Sequence, residues 1–130
     1  MELLKDSLKQ YLGNDKIDQM CPEKDDDTIQ YFATSGLFIK LFNQSKDVLN
    51  EFENELYALK SLNHPNIIKN VYSRNIMNGD TQYGCIVLPR VGQEDLAYFL
   101  SKYKWIVDDD FLKIFAFNLL SAINHMHSHL

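Results

Sequence analysis

The sequence predicts an α+β domain built on a mostly antiparallel sheet. Three observations predict it. Helix-period and β-rich segments follow one another as helix, two strands, helix, two strands, two helices, so strands neighbour strands. The two strand pairs are each joined by a turn signal, Ser35-Gly36 and Asn78-Gly79-Asp80. Finally, 130 residues that are 45% hydrophobic and 24% charged can bury a single globular core. The chain divides into an N-terminal helix with an acidic loop (1–27), a sheet with its helix (28–92), and two closing helices (93–130).

In order, Leu3, Leu4, Leu8 and Leu12 recur at helical spacing and Gly13 supplies a stop. Residues 14–27 are polar, with Pro22 and the run Asp25-Asp26-Asp27, and are predicted as loop. Thr28–Thr34 is rich in β-formers. Leu37–Phe42 is the second strand, apolar on both faces except at Lys40. Ser45 is the predicted cap of a helix with Asp47 in its first turn. That helix runs to about Leu62, where Asn63-His64-Pro65-Asn66 ends it, because proline cannot extend the hydrogen-bond ladder. Ile67–Ser73 and Tyr83–Val91 are the next strands. Glu94–Tyr103 is a short helix, and Asp108–Asp110 an acidic cap for a last helix from Phe111 to the chain end.

Composition removes several function classes. The net charge of −5 gives no global field to draw in nucleic acid or an anionic membrane, so neither is an expected partner. No stretch approaches the roughly 20 apolar residues of a membrane-spanning helix. Charges at Glu2, Lys5 and Asp6 fall where a signal peptide would carry its apolar run. Two cysteines, Cys21 and Cys85, make no disulfide framework and fit a reducing compartment. The expectation is a soluble, cytoplasmic protein.

The helix after Ser45 carries an apolar stripe at 48, 52, 55, 59 and 62, held by Val48, Phe52, Glu55, Leu59 and Leu62. A carboxylate inside an apolar stripe is costly unless paired. In the strand LFIKLF, alternation puts Phe38, Lys40 and Phe42 on one side, so Lys40 is a cation inside an apolar face. Two arrangements satisfy both residues. The helix packs on the sheet with Lys40 against Glu55, or Lys40 snorkels to an edge while Glu55 sits on the helix shoulder. In the first, removing one partner of a buried pair typically costs ~3–5 kcal/mol.

At this point the sequence resembles eukaryotic-type protein kinases. The matching text is FIKLF, FENELYALKSLNHPNIIK, CIVLPRVGQEDLAYFL and FLKIFAFNLLSAINHMHSHL, in family order over about residues 28–130. The stretch Glu55–Asn66 resembles the kinase C-helix and its following loop. CIVLPRVGQEDL resembles the fifth strand, the hinge and the start of the D-helix. The last helix resembles the E-helix. The fold this implies is a kinase N-lobe (28–92) followed by the D- and E-helices of an incomplete C-lobe (93–130).

The resemblance implies a role for each matching residue. Lys40 would hold the α- and β-phosphates of ATP, and Glu55 would orient it. Leu88 would be the gatekeeper behind adenine. The hinge would read adenine through the carbonyl of Pro89, which proline retains, and the N–H of Val91. Leu59 would join the apolar column linking the lobes. The implied cofactor is ATP with Mg²⁺, and the implied activity of the family is transfer of its γ-phosphate to a serine or threonine hydroxyl.

Four positions depart from the family. The stretch Ile17–Thr34 has no glycine where a phosphate-wrapping backbone needs several, and instead carries Glu23 through Asp27. Phe38 stands where the family has a small alanine above the base. Asn70 stands in the lobe-linking column, where Val71 would fit after a one-residue shift. Neither an HRD nor a DFG triplet occurs before Leu130. No catalytic residue is therefore assigned, and this chain alone is expected not to be a competent kinase. The alternative expectation is a pseudokinase-type interaction module that binds a protein through its apolar final helix, which is apolar nearly all round.

Other candidates are weaker. His125 and His129, four apart on a helix, could face one metal ion, but no Cys or acid stands at matching spacing, so no metal site is assigned. The resemblance makes His127 structural. His64 reads as a hydrogen-bonded loop anchor. Asp25–Asp27 reads as solvated loop and Asp108–Asp110 as compensation of a helix dipole.

Overall fold

The computed structural model describes residues 2–13, 16–20, 28–69, 72–92 and 94–130. Its elements are α1 (Glu2–Leu12), β1 (Asp18–Met20), β2 (Ile29–Ala33), β3 (Leu37–Asn43), α2 (Leu49–Ser61), β4 (Tyr72–Asn78), β5 (Thr81–Pro89), α3 (Leu96–Lys102) and α4 (Asp109–His129). The five strands form one sheet in the order β1-β2-β3-β5-β4, and every neighbouring pair is antiparallel. The α+β expectation holds.

Register decides which side chains meet. Tyr31 lies opposite Lys40 and Ala33 opposite Phe38. Phe38 faces Leu88, Lys40 faces Ile86 and Phe42 faces Gly84. Because side chains alternate, positions 38, 40 and 42 share one face with 84, 86 and 88. On that face Phe42, Val48, Phe52, Ile86 and Leu88 form an apolar cluster under α2, with Leu56 and Leu59 packed against it. The opposite face buries Phe32, Ile39, Leu41, Ile76, Cys85 and Val87 beneath Leu4 and Leu8 of α1. The sheet is thus covered on both sides. Gly13 ends α1 with φ +62, its N–H reaching Lys9 O at 2.8 Å.

Several boundaries differ from expectation. β1 lies inside the segment predicted as loop. The other residues of that segment that are described lie outside strand, and its acidic run is outside the described residues. Ser45 is not the cap of α2. Its hydroxyl donates to Asn43 Oδ1 at 2.6 Å, and the helix starts later, after Val48, without a side-chain cap. The strand expected at 67–73 begins only at Tyr72 and continues to Asn78, and Asn70 and Val71 lie outside the described residues. The fourth predicted strand, 83–91, is shifted two residues earlier, to 81–89. Its turn is as expected, with Gly79 at φ +63.

The closing helices start where the acids stand. Asp95 accepts the Tyr98 N–H and Asp108 the Phe111 N–H, each at 2.8 Å, with Asp109 and Asp110 in the first turn of α4. Among the described residues, no helix is long and apolar enough to cross a membrane.

Candidate functional site

Lys40 and Glu55 meet. Lys40 is in the middle of β3 and Glu55 in the middle of α2, and both half-buried side chains point into the layer between them. Lys40 Nζ lies 2.7 Å from Glu55 Oε1 and 2.8 Å from Oε2. The side chains remain 19% and 31% exposed, so the pair sits at the rim of the apolar layer and not within its interior. Its worth therefore falls below the ~3–5 kcal/mol of breaking a buried pair and above the ~0–1 kcal/mol of a surface one. The ammonium also lies 5.8 Å from the Tyr31 ring centre and 5.5 Å from that of Phe42, within cation–π reach. Two of its three N–H donors are engaged by the carboxylate, which leaves one for an anionic ligand.

The segment that the kinase resemblance would make a hinge begins at the end of β5, where Pro89 is in register with Leu37. Pro89, Arg90, Val91 and Gly92 line a hollow of about 320 Å³ with Phe38 and Ile68, and Glu94 and Asp95 stand at its rim. Val91 is 78% exposed. Leu88 is not part of the hollow's lining; it is buried in the cluster under α2 with Phe52 and Ile86. Phe38, two residues before Lys40, connects the two halves of the site. Its ring stacks on Tyr31 with centres 5.9 Å apart and planes 26° from parallel.

Arg90 is a residue that the sequence reading passed over. Its N–H donates to Gly36 O and its guanidinium to Thr34 O, both at 2.9 Å. The end of β5 is thereby tied to the β2–β3 turn, which Thr34 Oγ1 closes by accepting the N–H groups of Gly36 and Leu37.

A second polar cluster joins the loop after α2 to α4. The Asn66 N–H donates to His64 Nδ1 at 3.0 Å, so neutral His64 carries its proton on Nε2 and donates to Ser121 Oγ at 2.9 Å. The Asn63 N–H donates to His125 Nε2 at 3.3 Å, and Asn66 Nδ2 donates to the Asn118 carbonyl at 3.2 Å. His64 is a loop anchor, as expected. The His125 and His129 rings stack 3.9 Å apart, and His129 Nδ1 pairs with the His125 carbonyl. Among the described residues no group of three or more His, Cys, Asp or Glu could hold a metal ion. His127 is exposed, and it is His125 that meets the loop. Partial desolvation, then His129 and His64, hold the His125 pKa below the usual imidazole value. Cys85 is inert by environment, since burial pushes its thiol up to about 12.

No protein-family profile matches the chain, and no curated protein matches it. A solved structure, the crystal structure of Rad53 1-466 in complex with AMP-PNP, superposes with a TM-score of 0.58 at 21% identity, over 95% of this chain and 35% of that one. The fold is protein-kinase-like. This chain spans about a third of the length of that structure, and at such identity the likeness is one of fold alone.

Proposed function

We propose that the chain is the nucleotide-binding portion of a protein-kinase-like domain, with ATP as the ligand of Lys40. The observation that carries this reading is the Lys40–Glu55 contact, in which both carboxylate oxygens fix the ammonium and one N–H remains to meet a phosphate. The apolar hollow against the hinge suits a flat base: Phe38, Ile68 and Val91 would supply its faces, and backbone at Pro89 and Val91 would supply polar contacts. ATP would bring its own Mg²⁺ on the phosphates, and the γ-phosphate is the group the parent reaction moves. Within residues 1–130 we assign no base and no Mg²⁺-holding acid. Calorimetry with Mg²⁺-ATP tests the reading. The native chain should release heat, and Lys40→Ala should weaken binding at least about tenfold, the loss of one charge-assisted contact of ~1.5–3 kcal/mol.

The second reading is a non-catalytic module that binds a protein through α4. Its support is the exposure of Ile114 (64%), Phe117 (73%) and Leu120 (63%) on that helix. Absence of heat at millimolar ATP would favour it over the first.

A further inference from the structure

We infer that Gly84 is a positioning residue: its bare Cα is the seat on which Phe52 sets the height of α2, and through that height the contact between Glu55 and Lys40. Phe52 is the buried residue of α2. Its ring packs against the Phe42 ring, 5.4 Å away centre to centre, and over Gly84 of β5, the register partner of Phe42. A Cβ built on Gly84 would stand 2.7 Å from Phe52 Cδ2 and 2.8 Å from both Cε2 and Cγ. Carbon atoms rest at ~3.5–4.0 Å, so the ring would have to withdraw by about 1 Å. Phe42, itself buried, packs against one side of the ring, so the withdrawal is expected to fall on the helix.

Glu55 is three residues further along the same helix, about 4.5 Å up its axis and on nearly the same face. What lifts Phe52 therefore lifts Glu55. The carboxylate meets the ammonium at 2.7 and 2.8 Å with both oxygens, and an N–H···O bond is spent beyond ~3.2 Å. A displacement of about 1 Å removes the two-oxygen contact first. Gly84 itself has an ordinary backbone conformation: it is not among the positive-φ glycines, so close approach is its reason for being glycine.

The inference rests on the reading of Lys40 as the ligand-holding cation for its consequence, but its test needs no nucleotide, so the two can fail separately. The measurement is the rate at which acetic anhydride acylates Lys40 in the folded chain, resolved by mass spectrometry, with Lys102 and Lys113 as internal references. Glu55→Gln sets the rate of a released Lys40. Gly84→Ala should raise the Lys40 rate several-fold toward that value while the reference lysines stay constant. Adding Phe52→Leu, whose shorter side chain can turn away from residue 84, should bring the rate back. A folded Gly84→Ala chain with the native Lys40 rate overturns the inference, and so does a double variant without recovery. If Gly84→Ala does not fold, the double variant decides: folded with a native-like Lys40 rate, it supports the seat; unfolded, it shows that the need for glycine lies elsewhere.

Discussion

The two faces of the sheet are closed in opposite ways. Under α1 the cover is mainly apolar, with Gln30 a buried polar exception in register with Leu41, and Leu8, Ile39, Leu41 and Val87 are essentially without exposure. Under α2 the cover rests on Phe52 in the helix and on Val48 and Leu62 at its two ends, and an ion pair occupies the gap beside them. The α1 face is built to hold the sheet. The α2 face holds a charge at a fixed place, accepting a thinner core to do so. Elements with few buried apolar contacts are the ones that open first, so α2 should be the looser of the two covers.

Substitutions can break this comparison. The largest effect belongs to the α1 face. Leu8→Ala should lower stability by ~2–5 kcal/mol, the range for emptying a buried leucine site, read as a shift in the urea midpoint at constant slope. The reactivity of Lys40 should not change in that variant. An intermediate effect belongs to the pair. Glu55→Gln should cost about 1–2 kcal/mol, between the surface and buried limits, and should free Lys40 to acylation. A cost equal to that of Leu8→Ala would mean that the two faces are not different in kind.

The smallest effect is one of pH at the joint between the loop and α4. The folded pKa of His125 is below its ordinary value, so the unfolded chain binds the extra proton first. This contribution is present above the unfolded value of ~6.5 and is lost as pH falls toward the folded one. The groups around it are His64, His129, Ser121 and Asn63, with Lys60 and Lys69 lining the hollow next to Asn63; those of them that can charge here are cations and add no acid to retain the proton. The melting temperature of the native chain should therefore approach that of His125→Gln on going from about pH 7.5 to about pH 5.5, across the imidazole range. A constant gap between the two would remove His125 from the joint.

The parts of this structure that were legible in the sequence are those where two periodicities cross. Lys40 broke an alternation of period 2 and Glu55 broke one of period 3.6, which made their pairing one of two arrangements, and the contact at 2.7 and 2.8 Å selects it. The caps at Asp95 and Asp108 were legible as acids before helical runs. Other features were not. Asp18-Gln19-Met20 has no β-forming signature, and it is a strand because β2 offers it an edge. Ser45 had the chemistry of a cap, but Asn43 next to it took its hydroxyl. Ile67 and Ile68 read as the start of a strand because they are apolar and β-branched; their apolarity serves a hollow against Phe115, Leu119 and Ala122 of α4. By contrast Leu88, apolar at the end of an apolar strand, was legible as a buried residue, and it lies in the cluster under α2. Gly84 gave no local sign at all, since its reason is a ring that arrives from another element.

The grip of Arg90 on Thr34 and Gly36 has a mechanical result. It welds the end of β5 to the β2–β3 hairpin, so the chain cannot bend at Pro89 or Arg90 without breaking two hydrogen bonds at once. Just beyond, Gly92 has a φ of +78, a conformation that favours glycine and turns the chain away from β5. The part of the hollow lined by Pro89 and Arg90 is thus held to the sheet by the same two hydrogen bonds that fasten the β2–β3 turn.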